Sequence, residues 1–231
     1  RRVGALVENS SFYPYLSGYQ NLSYFQMISG RGSEEELESL VDRVGLSGRG
    51  HDLFRTYSYG MKQRLGIALA LLGDPDLVFL DEPTNGLDPE GMIEMRELIK
   101  SLGDGSRTVL LSSHLLHEVE QVCDSVTIIS KGRLIAQGEV SQLIATAGSE
   151  QIRIKTTDDS KALRLLSALG WLEDISMNED SLLITAPIER SAELTAALAN
   201  AEVYVAEMVP IRKSLEEYFL EVTARGNEGL Q

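Results

Sequence analysis

After Ser58 the residues Met61, Leu65, Ala68, Leu69 and Leu72 recur on one face of a helical repeat, which predicts a helix capped by the Ser58 hydroxyl and closed at Gly73. Asp74-Pro75 turns the chain, and Leu77-Val78-Phe79-Leu80 follows as a continuous apolar run, the pattern of a parallel strand covered on both faces. Residues 108–112 repeat that pattern. A short apolar run at residues 3–7 predicts another strand, which delivers Glu8 to its end. Residues 20–29 read as a helix. Ser33 starts the next one, with Glu36 at capping-box spacing, Leu37, Leu40, Val41 and Val44 on its apolar face and Gly45 at its end. Met92, Ile93, Met95, Leu98 and Ile99 give a further helix its apolar face. Residues 126–129 read as a strand, and Gly132 with Gly138 brackets a hairpin.

From Gln151 the pattern changes. Ile152 and Ile154 alternate with charged residues, residues 161–169 read as a helix, 182–185 as a strand, 192–198 as a helix, and 203–209 alternate again. Half-buried strands interleaved with helices predict a small α+β module of ferredoxin-like type. A last helix from Ser214 carries Leu215, Tyr218, Phe219 and Val222 on one face. Two domains are therefore expected, residues 1–148 and residues 149–231.

Composition narrows the function. A formal net charge of -14, with 21 scattered Lys and Arg among 231 residues, argues against a nucleic-acid partner. One cysteine, Cys123, excludes an internal disulfide framework and fits a reducing compartment. No apolar run approaches the roughly 20 residues that cross a bilayer, so no membrane span is expected. Arg1-Arg2 leads straight into an apolar run without an initiating Met, and the chain is expected to start inside a domain.

Candidate chemistry gathers at strand ends. In open α/β sheets ligands bind outside the carboxyl ends of the strands, which is where Asp81 and Glu82 arrive. Asp81 could hold Mg²⁺ while Glu82 orients or deprotonates a water; the bland alternative is two acids where a buried strand meets solvent. Ser58-Tyr59-Gly60 opens a helix whose free N–H groups suit a phosphate, or serves as an ordinary cap. Asp88-Pro89 is an N-cap with a first-turn proline. Phe12, Tyr13 and Tyr15 are either interface anchors or part of a loop folded onto its own domain. His51 has no local partner, and His114 with His117 lacks further metal ligands.

Three ordered segments carry a resemblance: Tyr57-Ser58-Tyr59-Gly60-Met61-Lys62-Gln63-Arg64-Leu65, then Leu80-Asp81-Glu82-Pro83-Thr84-Asn85-Gly86-Leu87-Asp88-Pro89, then Ser112-Ser113-His114. Together they resemble the signature, the Walker B with D-loop, and the switch histidine of ATP-binding subunits of ABC transporters. Gly-Met-Lys-Gln-Arg at 60–64, with Glu8 and Phe12-Tyr13-Pro14, is similar to the bacitracin-export and lantibiotic-immunity branch. The resemblance implies an α/β, P-loop NTPase-like (ABC ATPase) domain and ATP with Mg²⁺ as cofactors. It implies Asp81 as a metal ligand, Glu82 as catalytic base, and His114 on the γ-phosphate, holding the attacking water with Glu82. Ser58, Tyr59 and Gly60 would act on the nucleotide of the opposite subunit, and Asp88 would lie at the dimer interface. Glu8 stands at the Q-loop position, where Gln is usual; its carboxylate remains an oxygen ligand for the metal but adds charge beside Asp81 and Glu82. The implied partners are an ABC permease subunit and a second ATPase subunit in a homodimer, and the implied location is cytoplasmic, peripheral on the inner face of the cell membrane.

One motif is missing. No G-x-x-x-x-G-K-[ST] run occurs in the chain; Gly103-Asp104-Gly105-Ser106 has the glycines without the Lys. The expectation is an N-terminally incomplete ABC ATPase domain whose sheet exposes apolar edges, and which binds ATP weakly and hydrolyses it negligibly. The leading reading is the ATPase subunit of an exporter, with peptide antibiotics as the cargo that the branch resemblance implies. The second is a non-catalytic ABC-like module that docks on a permease or ATPase partner.

Overall fold

A computed structural model describes residues 3–7, 11–103, 105–146, 151–178, 180–211 and 214–228. The chain divides into two compact units, Arg1–Val122 and Cys123–Gln231.

The first unit is built on a parallel sheet in the order β1 (Val3–Leu6), β2 (Leu77–Asp81), β3 (Thr108–Ser112). Its helices are α1 (Gly18–Ser29), α2 (Glu34–Arg43), α3 (Tyr59–Leu71), α4 (Pro89–Leu102) and α5 (Leu116–Val122). The capping box expected at Ser33 and Glu36 is present, and a second one, not foreseen, joins Ser17 to Gln20 and starts α1 earlier than the apolar pattern indicates. Helix α3 is buried on more than one face. Leu65, Ile67, Ala68, Ala70 and Leu71 are all covered, because β1 and β2 pack on one side and α1 and α2 on the other.

The strands differ from expectation in a specific way. Val78 and Leu80 are buried, whereas Phe79 is 38% and Leu110 52% exposed. Ala5, Phe79 and Leu110 stand side by side in register, so one face of the sheet carries an uncovered apolar row. The apolar runs predicted cover on both faces; the layer of α3 and α4 covers one. Between β1 and α1, Phe12 is a core residue rather than a surface anchor, packed edge-on against Phe25 at 5.7 Å and tilted on Phe54 at 5.1 Å. The fully buried Asn21 folds this loop onto its own unit: its Oδ1 accepts from the Tyr13 amide (2.8 Å) and its Nδ2 donates to the Tyr13 carbonyl (3.1 Å). Tyr15 remains exposed.

The second unit opens with a hairpin, β4 (Ser125–Ser130) and β5 (Arg133–Glu139), whose turn residues Lys131 and Gly132 both have positive φ (51° and 74°), as tight hairpin turns require. After α6 (Val140–Thr146) come β6 (Gln151–Thr156), α7 (Asp159–Leu166), β7 (Asp174–Asn178), β8 (Ser181–Thr185), α8 (Ser191–Asn200), β9 (Val205–Ile211) and α9 (Leu215–Glu228). The sheet order β7-β8-β6-β9, antiparallel at every pairing, is the ferredoxin-like arrangement. Ile152, Ile154, Leu182 and Ile184 of the sheet meet Ala162, Leu166, Leu194 and Leu198 of α7 and α8 in its core. Strand β7 was not legible, since Ile175 and Met177 are its only apolar residues and it lies at the sheet edge.

Candidate functional site

Strands β2 and β3 end together, and their register places Asp81 opposite Ser112. The Ser112 hydroxyl donates to Asp81 Oδ1 at 2.5 Å. At the next residue the chain leaves the strand through a left-handed conformation: Glu82 has φ +46°, a strained value for a residue with a Cβ. Its amide is held there by two acceptors of one residue, the Ser112 carbonyl (3.2 Å) and the Ser112 Oγ (3.1 Å). The turn swings the Glu82 side chain to His114, whose Nδ1 lies 2.9 Å from Oε2. A carboxylate only accepts, so this contact puts the Nδ1 proton on the imidazole and leaves Nε2 for another partner. His114 is 62% and Glu82 23% exposed, so the pair is open to a ligand.

Ser58, Tyr59, Gly60 and Asp88 come together elsewhere. Ser58 Oγ caps α3 by accepting from the Met61 amide at 3.2 Å, and Asp88 caps α4 by accepting from the Gly91 amide at 3.1 Å. The two helix starts line one open cleft of about 570 Å³ with Tyr59, Gly60, Gly86, Leu87 and Arg64. Tyr59 bridges them: its ring lies over Gly86, and its hydroxyl accepts from Gln63 Nε2 at 3.2 Å. Arg64 anchors the cleft from behind, with Nη2 on Glu94 Oε2 (2.5 Å) and Nη1 on the Val44 carbonyl (3.1 Å). None of Asp81, Glu82 and His114 lines this cleft, so the predicted site residues form two groups on the unit. Glu8 lies outside the described residues.

The remaining candidates have structural partners. His51 packs on the Tyr19 ring at 5.5 Å, and His117 contacts Gln121 on its own helix at 3.0 Å. Burial, followed by the neighbouring Asp124 charge, pushes the Cys123 thiol upward, away from the reactive thiolate. Among the described residues no group of three or more His, Cys, Asp or Glu could hold a metal alone. A single oriented carboxylate, Asp81, fits Mg²⁺ nonetheless, because that ion keeps waters and phosphate oxygens and takes one or two protein carboxylates. Sequence reading missed Ser112 as a participant. Its signal was its place two residues before His114 on a strand that must pair with the one bearing Asp81. Arg64 and Asn21 had no such signal: Arg64 reaches the Val44 carbonyl and the Glu94 carboxylate, 20 and 30 residues away, and Asn21 meets backbone groups of the loop that precedes its own helix.

Comparison with known proteins adds an independent line. The family model described as "ABC transporter" matches residues 1–85. The ABC transporter ATP-binding protein YdbJ of Bacillus subtilis (strain 168) is 41% identical over 227 residues, covering 98% of this chain and 72% of that protein. The bacitracin transport ATP-binding protein BcrA of Bacillus licheniformis is 34% identical over 231 residues, covering 99% of this chain and 75% of its own. A solved structure of an ATP-binding subunit of an ABC transporter superimposes with a TM-score of 0.52 at 29% identity, over 62% of this chain and 61% of that one.

Proposed function

The chain belongs to the family of ABC transporter ATP-binding proteins, and on that premise we propose that it is the ATP-binding and ATP-hydrolysing subunit of an exporter, acting as one half of a homodimer against a separate permease. The observation that carries the catalytic part of this reading is the Glu82–His114 contact at 2.9 Å, one residue beyond an oriented Asp81. When bound, ATP would supply the phosphoanhydride to be cleaved, and Mg²⁺ would offset part of its phosphate charge. Asp81 is the residue that would hold the ion. Glu82 takes the proton of an attacking water at its unshared oxygen, and His114 fixes the other oxygen so that the base keeps one orientation. Nε2 of the exposed His114, not engaged by Glu82, would be the ring nitrogen left for a phosphate.

Ser58, Tyr59, Gly60 and Asp88 are proposed to serve the other copy. Their helix-start amides and caps form a surface that can receive a phosphate, and its separation from Asp81, Glu82 and His114 within one unit is what a shared two-chain site would need. Glu8 is kept as a second proposed metal ligand, on the strength of the resemblance alone. Location on the inner face of the membrane follows from docking to a permease, and no described helix is long and apolar enough to cross a bilayer. Bacitracin transport is the printed role of one relative; a peptide antibiotic as cargo is the corresponding proposal for this chain.

The 231 residues contain no G-x-x-x-x-G-K-[ST] run, so the chain alone is proposed to bind ATP weakly and turn it over negligibly. Calorimetry with Mg-ATP tests this on the chain and on a version joined to an upstream segment bearing such a loop. Binding by the joined version only, with hydrolysis lost in its E82Q variant, is the expected result. Tight binding by the chain alone, or hydrolysis that survives E82Q, overturns the reading.

A further inference from the structure

We propose that Ser112 is a positioning residue that sets the metal-binding carboxylate and the catalytic carboxylate with one side chain. It rests on the reading of Asp81 and Glu82 given above, and adds to it a residue to which neither the sequence motifs nor that reading assigns a role. Three bonds carry it. Ser112 Oγ donates its only proton to Asp81 Oδ1 (2.5 Å), and the same oxygen accepts from the Glu82 amide (3.1 Å), which also reaches the Ser112 carbonyl (3.2 Å).

Each bond fixes something that would otherwise be loose. Asp81 and Ser112 are exposed, and an exposed carboxylate rotates freely unless something binds it. With Oδ1 held, Oδ2 is the oxygen left for a cation, which is how an outer hydrogen bond orients a metal-ligating carboxylate. Glu82 sits at φ +46°, and such a conformation persists only where the surroundings over-determine it. Two acceptors on one residue do so here. A hydroxyl that donates one way and accepts the other therefore ties the direction of Asp81 to the turn that brings Glu82 to His114. The ordinary alternative is a strand-end serine that merely satisfies its own hydroxyl. That would need one partner, whereas both partners found are residues of the proposed reaction. Alanine keeps the carbonyl bond and loses both hydroxyl bonds; threonine keeps all three and suits a strand.

The test uses the full chain as wild type, S112A and S112T, with D81A as a metal control. Amide hydrogen exchange is read at Glu82 and, as an internal standard for stability, at Leu80 in the same strand; Mn²⁺ affinity is read by paramagnetic line broadening. Exchange at Glu82 should rise roughly fivefold in S112A while Leu80 is unchanged, and S112T should restore it. Mn²⁺ affinity should fall roughly tenfold in S112A and recover in S112T. Exchange at Glu82 that follows Leu80 in every variant overturns the proposal, as does Mn²⁺ bound equally by S112A and wild type. Mn²⁺ binding that persists in D81A, or is absent from the wild type, removes instead the assignment of Asp81, and exchange at Glu82 then decides the role of Ser112 by itself.

Discussion

Gly4 of β1 lies directly against the carbonyl oxygen of Ala70 in α3: a Cβ built at Gly4 would meet that oxygen at 1.7 Å. The helix that begins at Ser58 is thus seated on the sheet through a contact that only glycine permits. Gly4→Ala forces α3 off β1, and should cost at least the 1–3 kcal/mol typical of overpacking. Gly103→Ala, where the nearest atom would be at an ordinary 3.7 Å, should change little. Urea denaturation of the two variants makes the comparison.

Tyr59 and Gly86 set the signature turn against the loop that leads to Asp88. Gly86 has φ +75°, and a Cβ there would crowd the Tyr59 ring at 3.2 Å. Gly86→Ala should cost about 1–2 kcal/mol for the left-handed backbone, plus a crowding cost that vanishes in a Tyr59→Ala background. A double-mutant cycle should return a coupling of about 0.5–1 kcal/mol. A coupling of zero would mean that the ring does not brace the loop.

Arg96 of α4 and Glu118 of α5 form a covered ion pair, with Nε and Oε2 at 3.3 Å and side-chain exposures of 19% and 8%. Neither of those atoms has a hydrogen bond of good geometry. Removing one charge strands the other, so Glu118→Leu alone should destabilise by about 3–5 kcal/mol, whereas Arg96→Met with Glu118→Leu should be close to neutral. Thermal unfolding of the single and double variants separates these outcomes.

On the second unit, the Lys155 ammonium bonds to Asp180 and holds that carboxyl below the usual carboxylate range, while Asp180 raises Lys155 in return. The lowered carboxyl contributes stability above its unfolded pKa of about 3.9, and that contribution is lost as pH falls through the folded value. The raised ammonium contributes below its unfolded pKa of about 10.4 and ceases to as pH rises through its folded value. Both groups are exposed, so the change in stability is small. The titration itself is the readout: carbon-detected NMR should find the Asp180 midpoint depressed, and Lys155→Met should move it up to the ordinary range.

Much of this was legible in the sequence, for reasons that differ by element. The capping serines at 33 and 58 and the Asp88-Pro89 helix start are local chemistry, readable within a few residues, whereas the hairpin expected between Gly132 and Gly138 turns at Lys131-Gly132, with Gly138 inside β5 opposite Val126. The alternating strands after Gln151 declared their buried faces and the ferredoxin-like type, but the four-strand order includes β7, which the sequence did not show. What could not be read was long-range. The uncovered face holding Phe79 and Leu110 looks in sequence like a buried strand, because an apolar run does not say how many layers pack on it. Phe12 was open to a surface role until Asn21 and Phe54 closed over its loop. At the site, Asp81, Glu82 and His114 stood out through their motifs, but the serine that binds the first two was visible only once β2 and β3 were laid in register.

The β6 strand gives the second unit a particular kinetic order. Ile152 pairs on one side with Ile184 and on the other with Pro210, so the middle of the sheet is made first in the chain and completed last. Closing those long loops costs entropy before any pairing rewards it, which slows folding relative to the local β4–β5 hairpin. On a ribosome, β6 waits with both edges open until β8 emerges and with one edge still open until β9 follows, and the nascent chain is most prone to pair with a neighbour during that interval.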